Sequence, residues 1–255
     1  MISLKNGRDI DAMRVAGKIT AAARALAGEM VKPGVSTKAI DRAVYEFITS
    51  QRAKPSFLHF QGYPASVCIS INEQVIHGIP GGRKIQDGDI VSIDVGAYIG
   101  GFHGDCAGTY LAGSVRDEWQ ELVKVTRQCF FEGLKFARAG NRIPDISHAI
   151  QECAEKHGYG VVTEYVGHGV GRQMHEEPEV PNYGKPGHGI RLIPGMTLAV
   201  EPMINLGTPD VRVLSDGWTV VTGDRKPSAH YENTILITNG DPEILTPIDG
   251  DHNYV

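Results

Sequence analysis

The stretch from Val91 to Tyr110 reads VSIDVGAYIGGFHGDCAGTY. Two apolar runs flank a glycine turn, and each run carries one aspartate, Asp94 and Asp105. Runs of this kind read as strands. With a two-residue hairpin turn at Ile99-Gly100, Tyr98 faces Gly101 and, counting outward, Asp94 faces Asp105. Two carboxylates directly opposite on one face repel. Burial adds a desolvation cost unless one is protonated or a cation binds between them.

Working outward, the residues Ile10, Met13, Ala16, Ile19, Ala23, Leu26 and Met30 recur at three- and four-residue spacing. They predict an amphipathic helix from about Gly7 to Met30, stopped at Lys32-Pro33-Gly34. A second helix carries Ile40, Val44, Phe47 and Ile48 on one side. The same order then starts again, with a long helix from Asp117 to Arg138, ending near Gly140, and a shorter one from Pro144 to about His157.

Residues 32–48 and 138–154 align Gly34 with Gly140, Ile40 with Ile146, Ala43 with Ala149 and Val44 with Ile150. DGDIVSIDVG (87–96) against PGMTLAVEPM (194–203) sets Gly88 on Gly195 and Asp94 on Glu201. HGD (103–105) resembles HYE (230–232), which sets Asp105 on Glu232. Three matches in one order indicate an internal two-fold repeat, with halves of about 1–115 and 116–255. No Ser/Gly/Pro-rich linker divides them, so residues 1–255 read as a single domain. Few βαβ alternations point to an α+β fold with an antiparallel sheet.

The repeat predicts one central site holding Asp94, Asp105, Glu201 and Glu232, with His168 or His175 from TEYVGHGVGRQMHEEP (163–178). Four buried anions require cations, and their charge equals that of two divalent metals. Carboxylates with an imidazole are a harder ligand set than sulfur-rich structural zinc sites, and Mn, Fe(II), Co and Zn all remain open. Two metals about 3.5–4 Å apart can hold a bridging hydroxide and polarise a carbonyl, machinery for metal-assisted hydrolysis.

Composition excludes other classes. The net charge is -5 and no Lys/Arg block stands out, which argues against direct nucleic-acid binding. The four cysteines are scattered without a CxxC pair, as expected of buried or free thiols in a reducing cytosol. The N-terminus lacks an apolar signal region, and no continuous apolar run is long enough to span a membrane.

The segments FQGYPASVCISINEQVIHGIP (60–80), IDVGAYIGGFHGDCAGT (93–109), YVGHGVGRQMHEEPEVPNYG (165–184), GMTLAVEPM (195–203) and SAHYENTILIT (228–238) together resemble the type I methionine aminopeptidases over nearly the whole chain. The resemblance implies the pita-bread fold, two pseudo-symmetric halves with a central antiparallel sheet flanked by helix pairs. It implies a dinuclear metal-dependent aminopeptidase that removes the initiator methionine from nascent proteins and peptides with a small second residue.

Carried over by motif, the implied ligands are Asp94, Asp105, His168, Glu201 and Glu232, with Asp105 and Glu232 bridging. Asp94 serves one metal, and His168 and Glu201 the other. His175 is implied to stabilise the developing oxyanion, His77 to contact the scissile amide, and Glu201 to shuttle the proton. The methionine pocket is implied at Phe60, Tyr63, Cys68 and Trp218, with Phe57 and Met174 at its rim.

The resemblance also places a monovalent cation near Asn72, Gln74 and Ser228. It implies a cytoplasmic monomer acting on nascent N-termini, in transient association with the ribosome. Phe57, Met174 and Ile76 depart from residues common in relatives, which touches the pocket rim and not the ligands. The alternatives are an Xaa-Pro dipeptidase or aminopeptidase of the same fold, for whose usual separate N-terminal domain the chain offers no room, and a non-catalytic binding protein on that scaffold.

Overall fold

The computed structural model describes residues 2–247; Met1 and residues 248–255, which the single-domain reading includes, lie outside them. The first helix, α1 (Gly7–Glu29), opens on a capping box: the Asn6 side chain accepts from the Arg8 and Asp9 N–H groups, and Asp9 accepts from Asn6 N–H. Its buried face is built largely of small residues, Ala16, Gly17, Thr20, Ala23 and Ala27. That lets the helix lie close on the sheet. A Cβ added at Gly104 would come within 3.0 Å of Gly17 Cα. The second helix, α2 (Thr37–Ser50), buries Ile40, Val44 and Ile48, as the spacing predicts.

In the second half, α3 (Asp117–Leu134) stops four residues short of the predicted Arg138. Phe136 and Ala137 donate only three residues back, to Gly133 and Leu134, and this tightening ends the α ladder. The helix α4 (Ile143–Lys156) follows, with Pro144 in its first turn where the missing N–H costs nothing.

Among the described residues the central sheet has nine strands: β1 (Lys54–Pro55), β2 (Val67–Ile71), β3 (Ile90–Ile99), β4 (Phe102–Leu111), β5 (Gly167–Gly169), β6 (Glu176–Val180), β7 (Thr197–Val200), β8 (Glu232–Leu236) and β9 (Glu243–Ile244). Its order is β1-β3-β4-β8-β7-β5-β6, with β2 also on β3 and β9 also on β8, every pair antiparallel. The β4–β8 seam divides it. On one side α1 and α2 pack on β2 and β3 through Ala23, Ile40, Val44, Val67, Ile69 and Ile93. On the other α3 and α4 pack on β7 and β8 through Leu122, Phe130, Ile146, Ile150, Leu198 and Ile235.

The halves match in backbone detail. Gly34 N–H donates to the Ile85 carbonyl and Ile85 returns a bond to Val35; Gly140 donates to Leu192, and Leu192 returns a bond to Asn141. Gly88 and Gly195, aligned in the sequence, both sit at φ 92.

The β3–β4 register corrects the expected hairpin. The turn is Gly100-Gly101, at φ 63 and 89, and Ile99 pairs with Phe102. A two-residue turn of this kind needs positive φ at both central positions, which two glycines accept and a β-branched isoleucine resists. Asp94 therefore pairs with Ala107, and Asp105 with Gly96. The shift is two residues, so both aspartates keep the same face and become diagonal neighbours.

Candidate metal centre

The carboxylates are assembled by strand register. Glu232 opens β8 directly across from Ala107 on β4, which brings it beside Asp105. Asn233 pairs with Val200, so Glu201, one step beyond β7, comes alongside Glu232. Two threonine hydroxyls clasp the joint. Thr234 Oγ1 accepts from Asp105 N–H at 3.1 Å and donates to its carbonyl at 2.8 Å. Thr109 Oγ1 does the same for His230, at 2.9 Å each way. His168 stands in β5, paired with Ala199 of β7 and Glu179 of β6.

Asp105, His168 and Glu232 present ligand atoms that all lie within 4.8 Å of one another. His168 Nε2 is 3.6 Å from Asp105 Oδ2 and 3.6 Å from Glu201 Oε1. Its Nδ1 lies 2.8 Å from the Gly169 carbonyl, which only accepts; the proton therefore sits on Nδ1 and Nε2 offers a lone pair. Burial, with His175 adding to it, lowers the His168 pKa to about 3, so the imidazole is neutral.

Burial raises the Asp94 carboxyl to about 7. It pushes Asp105, Glu201 and Glu232 well above the ordinary carboxylate range, helped by the neighbouring carboxylates. Asp94 Oδ1, Asp105 Oδ1 and Glu232 Oε1 are buried without a hydrogen-bond partner. Unsatisfied buried carboxylate oxygens are rare because each loses its hydration for nothing. With Asp105 and Glu232 gathered beside a neutral imidazole nitrogen and Asp94 lining the same cavity, these oxygens fit divalent metal ions.

The carboxylates and His168 open into a cavity of about 910 Å³, which Phe57, Phe60, Tyr63, Cys68, His77, Met174, His175 and Trp218 also line. All the residues named from the sequence for the ligands and the methionine pocket thus share one space. Phe57, Tyr63, Cys68 and Met174 form one buried cluster, with Phe60 and Trp218 packed on it. Phe57 and Met174 are 8% and 3% exposed and belong to the buried part of that cluster. The Tyr63 hydroxyl reaches the Gly78 carbonyl at 2.9 Å, which turns its polar end away from the pocket.

The two histidines flank this space. The His175 ring is 4.2 Å from that of His168 and 5.2 Å from that of Phe60. His77 stands edge-on to Tyr165 and Trp218, at φ 59, a left-handed backbone held by its surroundings. Burial, then His175, lowers the His77 pKa to about 4, so it too is neutral near pH 7.

Sequence reading missed His230. Its Nε2 is buried without a partner, 3.8 Å from Glu201 Oε2 and 3.9 Å from Glu232 Oε2. Burial, followed by His77 and Arg24, brings its pKa to about 3. The signal was present in HYE, two residues before Glu232. The residues named for a monovalent cation do cluster: Ser228 N–H donates to the Asn72 carbonyl at 2.9 Å. Asn72 Oδ1 and Gln74 Oε1 already accept from Ile90 and Ile71, and Ser228 Oγ donates to Ile204.

Comparison with known proteins gives concordant results. Residues 11–239 match the model of metallopeptidase family M24. A methionine aminopeptidase of Clostridium perfringens is 52% identical over 97% of this chain and 100% of its own length. A crystal structure of methionine aminopeptidase from Rickettsia prowazekii superposes with a TM-score of 0.95 at 42% identity, over 97% of this chain and 100% of that one. A prolidase from Pyrococcus furiosus superposes at 0.78 with 22% identity, over 96% of this chain and 66% of that one, a likeness of fold alone.

Proposed function

The chain belongs to metallopeptidase family M24, and from that premise we propose that it acts as a methionine aminopeptidase. It is a metal-dependent hydrolase that removes the initiator methionine from nascent proteins and peptides with a small second residue. The observation that carries this reading is the shared cavity: four buried carboxylates and His168 stand beside an apolar pocket walled by Phe57, Phe60, Tyr63, Cys68, Met174 and Trp218.

Asp94, Asp105, His168, Glu201 and Glu232 would hold two divalent ions. Bound there, such ions supply Lewis acidity and bring a water's pKa down toward neutrality. The remaining chemistry belongs to the protein. The substrate's thioether side chain enters the aromatic and sulfur-lined pocket, whose surfaces suit a polarisable unbranched group. His175, at the mouth beside His168, donates to the scissile carbonyl oxygen as negative charge develops on it. His77, neutral and on the Trp218 side, contacts the scissile amide nitrogen or the next backbone group. Glu201 moves the proton from the attacking water toward the leaving amine.

Which metal occupies the site depends on availability as much as on these ligands. A monovalent cation near Asn72, Gln74 and Ser228 belongs to the same proposal. The chain acts as a cytoplasmic monomer on emerging N-termini, in transient contact with the ribosome; none of its described helices is long and apolar enough to cross a membrane.

Hydrolysis of Met-Ala-Ser against Ala-Pro and Gly-Pro substrates tests the reading. Release of methionine from the first, with the proline peptides untouched, is the expected result. Cleavage confined to the proline substrates would move the activity to the Xaa-Pro class, and no cleavage at all to a binding role.

A further inference from the structure

The arm ahead of α1 and the loop ahead of β6 are joined by a buried ion pair. Lys5 Nζ lies 2.5 Å from Glu176 Oε2, and the two side chains are 3% and 11% exposed. Lys5 is fixed from its own side: its N–H donates to the Gly195 carbonyl at 2.8 Å, and Nζ also donates to the Ser3 carbonyl at 3.2 Å. Glu176 grips the loop with its other oxygen, which accepts the Gln173 N–H at 3.1 Å. Gly171 is bare because the pair occupies the space beside it; a Cβ there would meet Lys5 Cε at 2.5 Å and Glu176 Oε1 at 2.7 Å. His175 stands next to Glu176, inside the segment that these bonds close. Ser3, from the same arm, lines the cavity.

We propose that Lys5 is a positioning residue for His175, acting through Glu176 to fix the loop that aims its imidazole at the scissile carbonyl. The inference rests on the role given to His175 above. A buried carboxylate held by an ammonium stays where the ammonium is. Without Lys5 the Glu176 carboxylate is left uncompensated, and it must take up a proton or turn toward water. Either change loosens its hold on Gln173 and shifts the backbone on which His175 sits. Removing both charges together avoids this: in a Lys5→Met/Glu176→Gln variant the amide oxygen still accepts the Gln173 N–H, and no buried charge remains.

The test compares kcat, KM, thermal midpoint and metal affinity in wild type, Lys5→Met, the double variant and His175→Ala, using Met-Ala-Ser well below any melting temperature. Lys5→Met is expected to lower kcat by roughly tenfold to a hundredfold, the effect of a small misplacement of a catalytic group. Metal affinity holds, because neither Lys5 nor Glu176 is a ligand; KM rises far less than kcat falls, since only Met174 of the methionine pocket lies in the same loop. The double variant recovers most of the lost kcat. If Lys5→Met does not fold, Lys5→Gln carries the same comparison. An unchanged kcat in the single variant, or a double variant no faster than the single one, overturns the inference. Loss of kcat in His175→Ala with none in Lys5→Met defeats the positioning role alone. An unaffected His175→Ala instead defeats the reading of His175 on which it rests.

Discussion

The two halves differ in the strand that lies beside each carboxylate-bearing strand. In the first half, β2 sets Cys68 opposite Asp94 on β3. In the second, β5 sets His168 opposite Ala199 on β7, two residues from Glu201. The frames correspond, down to paired glycines at φ 92 and matching main-chain bonds, yet where the second half has His168 the first has Ser70, opposite Ser92, and it turns the thiol of Cys68 toward Asp94. Burial, then the nearby Asp94 charge, pushes the Cys68 thiol well above its ordinary pKa, and its side chain packs with Phe57, Tyr63 and Met174. It serves as pocket wall. On the proposed reading, the four carboxylates would therefore serve two unequal metal positions.

The largest expected effect strikes the seam that joins the halves. Asp105→Ala removes the carboxylate proposed to serve both metal ions, and methionine release is expected to fall to background with the loss of both, read by elemental analysis. Asp94→Asn and His168→Ala should each retain one ion. If all three variants bind two ions, the division of ligands between the halves is wrong.

Next in size is His230, which faces the second half's two carboxylates. His230→Leu is expected to weaken metal binding by about 10–100-fold, typical of groups that orient ligands, as measured by calorimetry on metal-stripped protein. Unchanged affinity would confine His230 to packing.

A smaller change follows at Cys68. Cys68→Ala enlarges the pocket and should raise KM for methionine substrates by less than about tenfold, with metal content unchanged. Loss of a metal would instead make the thiol a ligand and restore the symmetry between the halves.

The smallest effect concerns the metal-free protein and pH. Asp94 titrates near 3.8 in an unfolded chain and is raised to about 7 in the fold. Its contribution to metal-free stability is therefore full below the unfolded value and is lost as pH rises through about 7. Thermal melts of stripped protein should show a falling midpoint across that range, with Asp94→Asn more stable than wild type at the alkaline end. Equal midpoints there would mean that Asp94 is not desolvated as its burial implies.

The helices and the carboxylates were legible because both are written as patterns: three- and four-residue apolar spacing for one, a repeated placement of Asp94 and Asp105 on Glu201 and Glu232 for the other. The hairpin register was not. Ile99, Gly100 and Gly101 offer two adjacent turns, and only the backbone angles that each residue tolerates choose between them. His230 escaped notice because it ends one short strand and Glu232 begins another, so no alternation links them. The Lys5–Glu176 pair joins residues 171 positions apart, and nothing local in either segment points to the other.

The most direct measurement titrates metal-stripped protein separately with Mn, Fe(II), Co and Zn, following bound metal and methionine release from Met-Ala-Ser in the same samples. Binding of two ions per chain by at least one of these metals, with release that depends on them and is absent in Asp105→Ala, is the predicted result. Folded protein that takes up two ions yet releases no methionine with any of the four metals would contradict it.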